Sequence, residues 1–266
     1  MPDGRVYIYG SLDEPGNTWC SHHYDVLSST DLVHWNVEQT SFATRGEGKQ
    51  ADYTDRVLYA PDCIYHQGKY YLYYCLADGG DDEGVAVSDS PYGPFRDGTV
   101  IHRATGIDPS VFIDDDGQAY IFWGNRYCYY AKLKRNMIEI EGEITKLEFD
   151  ERWPFTEAAW VHKANGKYYL TYACGWPEKL AYAMSDSING PWEFKGLLSE
   201  CAGNCNTTHP SIVELNGKTY MFTHNGTLPE GTSYSRSVTV EEIKYNPDGT
   251  MQKCDVTTKG INGKGW

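Results

Sequence analysis

The chain contains no apolar run approaching the roughly 20 residues needed to cross a bilayer, and its opening residues, Met-Pro-Asp-Gly-Arg, do not resemble a secretory signal. It is also short of positive charge: 23 Lys and Arg against 37 Asp and Glu leave a net charge of −14. Such a surface repels both a nucleic-acid backbone and an anionic membrane, so no nucleic acid and no membrane is expected as partner, and a neutral or cationic ligand fits better. Helical patterning is lacking, and no linker or low-complexity stretch marks a domain boundary. Eight cysteines in 266 residues do not make a disulfide scaffold. Cys63, Cys75, Cys128 and Cys174 lie in apolar strand runs, where a thiol behaves as a small buried hydrophobe. Cys201, Cys205 and His209 are spaced by four and invite a zinc reading, which is set aside because a structural site needs a fourth ligand. Unpaired thiols lean towards a reducing compartment, the cytoplasm.

What is present is a repeat. Residues 106–124, Gly-Ile-Asp-Pro-Ser-Val-Phe-Ile-Asp-Asp-Asp-Gly-Gln-Ala-Tyr-Ile-Phe-Trp-Gly, are one copy: a special residue, a short apolar strand, a tight turn ending in Gly, then an aromatic-rich strand. Aligned on the turn glycine, the copies are GRVYIYGS at Gly4, GKYYLYYC at Gly68, GQAYIFWG at Gly117, GKYYLTYA at Gly166 and GKTYMFTH at Gly217, spaced by 64, 49, 49 and 51 residues. Five copies of a four-strand unit at that period, blade one lacking its first strand, predict an all-β, five-bladed β-propeller filling residues 1–266 as one domain. The 22 Tyr and 8 Trp supply bulk suited to strands with one polar end. A second phrase repeats as well, at residues 28–35, 88–95 and 185–192, with Ser/Asp/Pro/Gly turn chemistry closing on an aromatic expected to be buried: Trp35, Phe95 and Trp192. The run Asp114-Asp115-Asp116 reads as a solvated hairpin tip with Asp116-Gly117 as its turn dipeptide.

The copies differ most informatively eight or nine residues before each turn glycine, where Ala60, Asp108, Glu157 and His209 stand at the start of the innermost strand. In a propeller those starts converge near one axial point, so two carboxylates and an imidazole would share a pocket. Paired carboxyl groups facing one cavity are the equipment of glycoside hydrolysis. Glu157, inside the apolar Phe-Thr-Glu-Ala-Ala-Trp, is expected to stay protonated as a general acid requires, whereas spacing assigns Asp108 no role.

The phrases Tyr59-Ala-Pro-Asp-Cys-Ile-Tyr-His-Gln-Gly-Lys-Tyr-Tyr-Leu-Tyr-Tyr, Ile107-Asp-Pro-Ser-Val-Phe-Ile-Asp-Asp-Asp-Gly, Thr156-Glu-Ala and His209-Pro-Ser-Ile-Val-Glu-Leu-Asn-Gly-Lys resemble glycoside hydrolase family 43, in the right order and blade. The resemblance implies an inverting β-xylosidase or α-L-arabinofuranosidase acting on plant oligosaccharide or polysaccharide chain ends, without an organic cofactor. It makes Glu157 the general acid, Asp108 the residue that tunes and orients that acid, and His209 an axial histidine close to a calcium ion. Arg236 matches a sugar-contacting arginine and Tyr59 an aromatic flanking the pocket. The family's general base is an Asp about eight residues before the blade-one turn glycine, a position that would precede Met1 here. Residues 1–266 alone are therefore expected to be inactive or severely impaired, and a non-catalytic sugar-binding propeller stands as the alternative. Loops at residues 21–24, 78–83 and 174–178 are expected to set the choice between xylose and arabinofuranose.

Overall fold

A computed structural model of the chain describes residues 1–261 apart from Glu47, Asp78, Gly79 and Ala202. Asp78 and Gly79, at the start of one loop expected to select the sugar, lie outside the described residues. The structure is all-β, and its strands form five antiparallel sheets, one for each repeat; among the described residues the second to fourth have four strands, the first three, and the fifth three where four were expected. In chain order these are β1 (Val6–Ser11), β2 (His23–Ser29) and β3 (Asn36–Ala43); then β4 (Asp62–His66), β5 (Lys69–Tyr74), β6 (Asp82–Ser88) and β7 (Arg96–Thr105). The third sheet holds β8 (Ser110–Ile113), β9 (Ala119–Trp123), β10 (Tyr129–Leu133) and β11 (Ile140–Lys146). The fourth holds β12 (Phe155–Ala164), β13 (Lys167–Cys174), β14 (Lys179–Ser185) and β15 (Glu193–Ser199), and the fifth β16 (Ser211–Leu215), β17 (Lys218–Asn225) and β18 (Ser237–Ile243). Within each sheet sequential strands are neighbours, the meander of a propeller blade.

The turn glycines explain why the repeat is visible. Gly4, Gly68, Gly117, Gly166 and Gly217 all have φ between 72° and 86°, and a Cβ added at any of them would meet nothing within 4 Å. Backbone conformation, not space, demands glycine. Gln67, Asn165 and Asn216 just before three of them also have positive φ, the pattern of a type I′ turn, whose twist matches that of the hairpin. At the Asp114–Asp116 tip, Asp115 and Asp116 are exposed and Gly117 donates back to the Asp114 carbonyl at 2.8 Å, as the solvated-turn reading expects. In the second repeated phrase, the hydroxyls of Ser29, Ser88 and Ser185 accept the amide two residues on in the same way in three sheets. Phe95 is fully buried. Trp35 and Trp192 are only half-buried, contrary to the expectation, although all three aromatics lead into the last strand of their sheets.

The strands divide into two compact units, Met1–Gly124 with Tyr129–Thr145 and Asn125–Cys128 with Lys146–Trp266. In the first, Tyr24, Phe42, Leu58, Tyr74 and Phe95 fill the space between the first two sheets, and Tyr73, Val85, Ile101, Ile121 and Trp123 that between the second and third. In the second, Tyr169, Leu180, Leu198, Ile212, Met221 and Ile243 pack the fourth sheet on the fifth. Tyrosine suits such interfaces because its ring fills the core while its hydroxyl reaches a carbonyl. Tyr73 donates to Met137 O at 2.8 Å and Tyr169 to Gly249 O at 2.6 Å.

Candidate active site

In the first unit the site residues gather around a thiol. Asp108 is 5% exposed and lies two residues before β8 with φ of 60°, a left-handed conformation that Asp tolerates better than most residues. Its amide donates to Cys75 Sγ at 3.2 Å, and the Cys75 thiol donates to Ala60 O at 3.8 Å. One sulfur thus links the starts of the innermost strands of the second and third sheets. Tyr59 is held beside it: its amide donates to Cys75 O at 2.9 Å, and its carbonyl accepts the hydroxyl of Tyr24. Cys75 was expected to be a plain buried hydrophobe, and it carries a polar connection that its sequence position does not reveal.

Glu83, on β6, is the other residue that the sequence did not single out. It is fully buried and neither carboxylate oxygen has a hydrogen-bond partner. Burial, and then the charges of Asp108 and Asp82, push its pKa well above the ordinary carboxyl value, so it is held as the neutral acid. Gly106 approaches it closely enough that a Cβ there would sit 3.6 Å from Oε1.

The second unit brings Glu157, His209 and Arg236 together. Glu157 is the third residue of β12, where the pairing with β13 slips twice, between Phe155 and Glu157 and between Glu157 and Trp160. Ala158 inside that irregularity has φ of 62°. A bulge of this kind re-aims side chains that strict alternation would send elsewhere. Asn125, from the loop before β10, donates to Glu157 Oε2 at 2.8 Å and so fixes the carboxyl plane. His209 lies two residues before β16, and burial pushes its pKa down to about 4, with Glu157 pulling it up and Arg236 pushing it further down. The imidazole is therefore neutral at pH 7, within electrostatic reach of one carboxyl group and one guanidinium. Arg236 immediately precedes β18.

The segment leading to His209 is itself tied down. The buried Glu178 carboxylate accepts the Thr208 amide at 2.8 Å, and the His209 amide donates to Thr223 Oγ1 at 3.3 Å. The thiols of Cys201 and Cys205 serve the same loop: Cys201 donates to Cys205 O at 3.0 Å and Cys205 to Thr207 O at 3.3 Å. Among the described residues no three His, Cys, Asp or Glu side chains gather so as to hold a metal ion. Calcium takes six to eight oxygen ligands. The donor set around the neutral His209 therefore suits only an ion that keeps most of its water.

A family model for glycosyl hydrolases family 43 matches residues 3–251. A xylosidase/arabinosidase of Bacteroides ovatus is 32% identical over 94% of this chain and 91% of its own length, and xylosidase/arabinosidase 43A of Humicola insolens is 33% identical over 94% and 93%. Among solved structures, a family 43 β-xylosidase/α-arabinofuranosidase from a compost microbial metagenome, in complex with xylotriose and in a calcium-free form, superimposes with a TM-score of 0.86 at 31% identity, covering 95% of this chain and 92% of that one. A family 43 enzyme of Xanthomonas citri complexed with xylose gives 0.87 at 28% identity, over 99% and 90%. With the five sheets of the repeat, these matches make the fold a five-bladed β-propeller, and the chain belongs to the glycosyl hydrolases of family 43.

Proposed function

We propose that the protein hydrolyses terminal xylose or arabinofuranose from neutral plant oligosaccharides or polysaccharides, with Glu157 as proton donor to the leaving oxygen and inversion at the anomeric carbon. The observation that carries this reading is the setting of Glu157: a carboxyl on a strand bulge, oriented by Asn125 and facing a neutral His209 and a cationic Arg236. A general acid must hold its proton at one defined point and lose it only as the glycosidic bond breaks. A fixed amide donor on Oε2 sets that point. The neutral imidazole adds polarity without competing for the proton. Arg236 offers donors to sugar hydroxyls, and Tyr59 an aromatic wall for the pocket. Asp108 is assigned the tuning and orienting role that the family match gives it, supported by its burial and by the fixed backbone that Cys75 imposes.

Calcium, where bound, would meet the protein through His209 and otherwise through water. It would add positive charge beside Glu157 and favour that carboxyl's ionised form. The water-activating carboxylate of an inverting enzyme stands about 6.5–9.5 Å from the acid, and none of the residues described above is assigned that role. None of the eight cysteines is joined in a disulfide, which agrees with a cytoplasmic location.

The test is Glu157→Gln. Loss of the proton donor should lower kcat on xylobiose by at least 100-fold, on the scale of general acid catalysis, and much less on nitrophenyl xyloside, whose leaving group needs little protonation. Equal losses on both substrates would remove Glu157 from the acid role. The anomer released first, read by proton NMR on the natural glycoside, decides inversion.

A further inference from the structure

Two aromatic side chains of the second unit are largely exposed to water. Trp176 is 63% exposed and Tyr127 54%; among the described residues of that unit the only other large apolar side chain so exposed is Val238. Both belong to loops fastened to the residue just before the acid. The Thr156 carbonyl accepts the Arg126 amide at 2.7 Å, and the Thr156 hydroxyl donates to Gly175 O at 3.3 Å. Thr156 thus holds the neighbour of Tyr127 on one side and the neighbour of Trp176 on the other. Strand pairing fixes the same relation independently, since Glu157 pairs with Ala173 and Phe155 with Cys174, two residues before the indole.

Neither loop is free to fold its ring away. The Trp176 turn is anchored beyond the indole by Glu178, whose amide donates to Asn206 O at 2.9 Å and whose buried carboxylate accepts the Thr208 amide at 2.8 Å. The Tyr127 loop is anchored by the bond from Asn125 to Glu157. The Lys146 ammonium stands 4.3 Å from the Tyr127 ring centre, against one face of the ring. A ring held rigidly spares a partner that stacks on it the cost of ordering it.

The position selects the partner. A glycoside whose linking oxygen receives the Glu157 proton has its leaving portion beside that carboxyl, and the loops that carry both rings are fastened to the residue next to it. Sugar rings carry apolar C–H faces that stack on aromatic rings while their hydroxyls stay hydrated. A net charge of −14 favours neutral sugars over uronate-bearing ones. We propose that Trp176 and Tyr127 form a platform for the leaving-group side of the substrate, gripping the second and third residues of a neutral pentose oligosaccharide. The enzyme then takes oligosaccharide chain ends in preference to glycosides with small leaving groups. This rests on Glu157 being the general acid.

The experiment measures binding apart from turnover. In a Glu157→Gln background, titration calorimetry with xylotriose and with xylose is compared with and without Trp176→Ala. The platform requires xylotriose to bind roughly five- to tenfold more weakly without the indole, a stacking contribution of the usual size, while Trp176→Phe keeps most of the affinity. Xylose, which has no second residue, should lose under twofold. In the otherwise unaltered enzyme, Trp176→Ala should lower kcat/KM for xylotriose about tenfold more than for methyl xyloside, and Tyr127→Ala should act in the same direction. Unchanged xylotriose affinity, equal losses for xylotriose and xylose, or a change of oligomeric state in place of a change in affinity would each overturn the platform. A protein that binds xylotriose through Trp176 but hydrolyses no pentoside would leave the platform standing and remove the reading of Glu157.

Discussion

Asp62 offers the most quantitative test of the packing that positions Asp108. Its carboxylate is buried at the start of β4 and accepts two amides at 2.7 Å, from Cys63 next to it and from Val111 on β8 in the adjacent sheet. Burial pushes its pKa from 3.8 up to about 6, and the two amide bonds only partly oppose that rise. The folded protein therefore binds this proton more tightly than the unfolded chain does. The stability it contributes is fully present below pH 3.8 and is lost as the pH rises through about 6. The loss amounts to roughly 3 kcal/mol. Asp62→Asn puts a neutral group of the same shape in place, but the two amides bond to different oxygens, so its single carbonyl accepts only one of them and its NH2 faces the other. That lost bond costs about 1–3 kcal/mol at every pH. At pH 4 the variant should therefore be less stable than the wild type by about that amount. Between pH 4 and pH 7.5 the difference should move in the variant's favour by roughly 3 kcal/mol, or about 6–12 °C in Tm at this chain length, read by calorimetry across the pH series. A Tm difference that does not change with pH, or one that moves against the variant as the pH rises, would refute the reasoning. Either result would mean that the charge-assisted bonds to the two amides outweigh desolvation.

Cys75→Ala should leave the buried Asp108 amide without its acceptor, costing about 1–3 kcal/mol, seen as a lower midpoint in urea together with reduced kcat; a variant as stable as the wild type would make the sulfur a mere space-filler. Asp108→Asn keeps a side chain that tolerates φ of 60°, so it should lower kcat on xylobiose by at least tenfold with Tm nearly unchanged. Asp108→Ala should lose the same activity and, in addition, about 1 kcal/mol of stability to backbone strain. Full activity in the Asn variant would reduce Asp108 to a turn residue.

The fold was legible because the constraint that builds each blade is local. A hairpin needs positive φ at one place, glycine meets that need, and the aromatic strand follows at fixed offset, so Gly68, Gly117, Gly166 and Gly217 announce their hairpins without any tertiary knowledge. Asp108, Glu157 and His209 were legible for the same reason, since they occupy one offset in successive copies. The residues that hold them were not. Asn125 reaches Glu157 from 32 residues away, and Cys75 reaches Asp108 from 33. Such contacts cross from one sheet to the next, so no periodicity within a repeat encodes them.

One site feature did leave a trace in the sequence. Three copies place proline directly after the innermost-strand position, as Ala60-Pro61, Asp108-Pro109 and His209-Pro210, whereas the fourth reads Glu157-Ala158. Proline fixes φ near −65°, and Ala158 has φ of 62°, so proline is excluded there by sign. The two carboxylates thus reach their orientations by different routes. Asp108 takes the left-handed conformation itself, just before its proline, while Glu157 precedes a left-handed alanine inside a slipped ladder. Both departures cost backbone strain of order 1–3 kcal/mol, which persists only where the surroundings over-determine it. Here Cys75 supplies that restraint at Asp108, and Asn125 with the Thr156 contacts supplies it at Glu157. The missing proline in the fourth copy therefore marks the point at which the repeat gives up regularity to aim a carboxyl group.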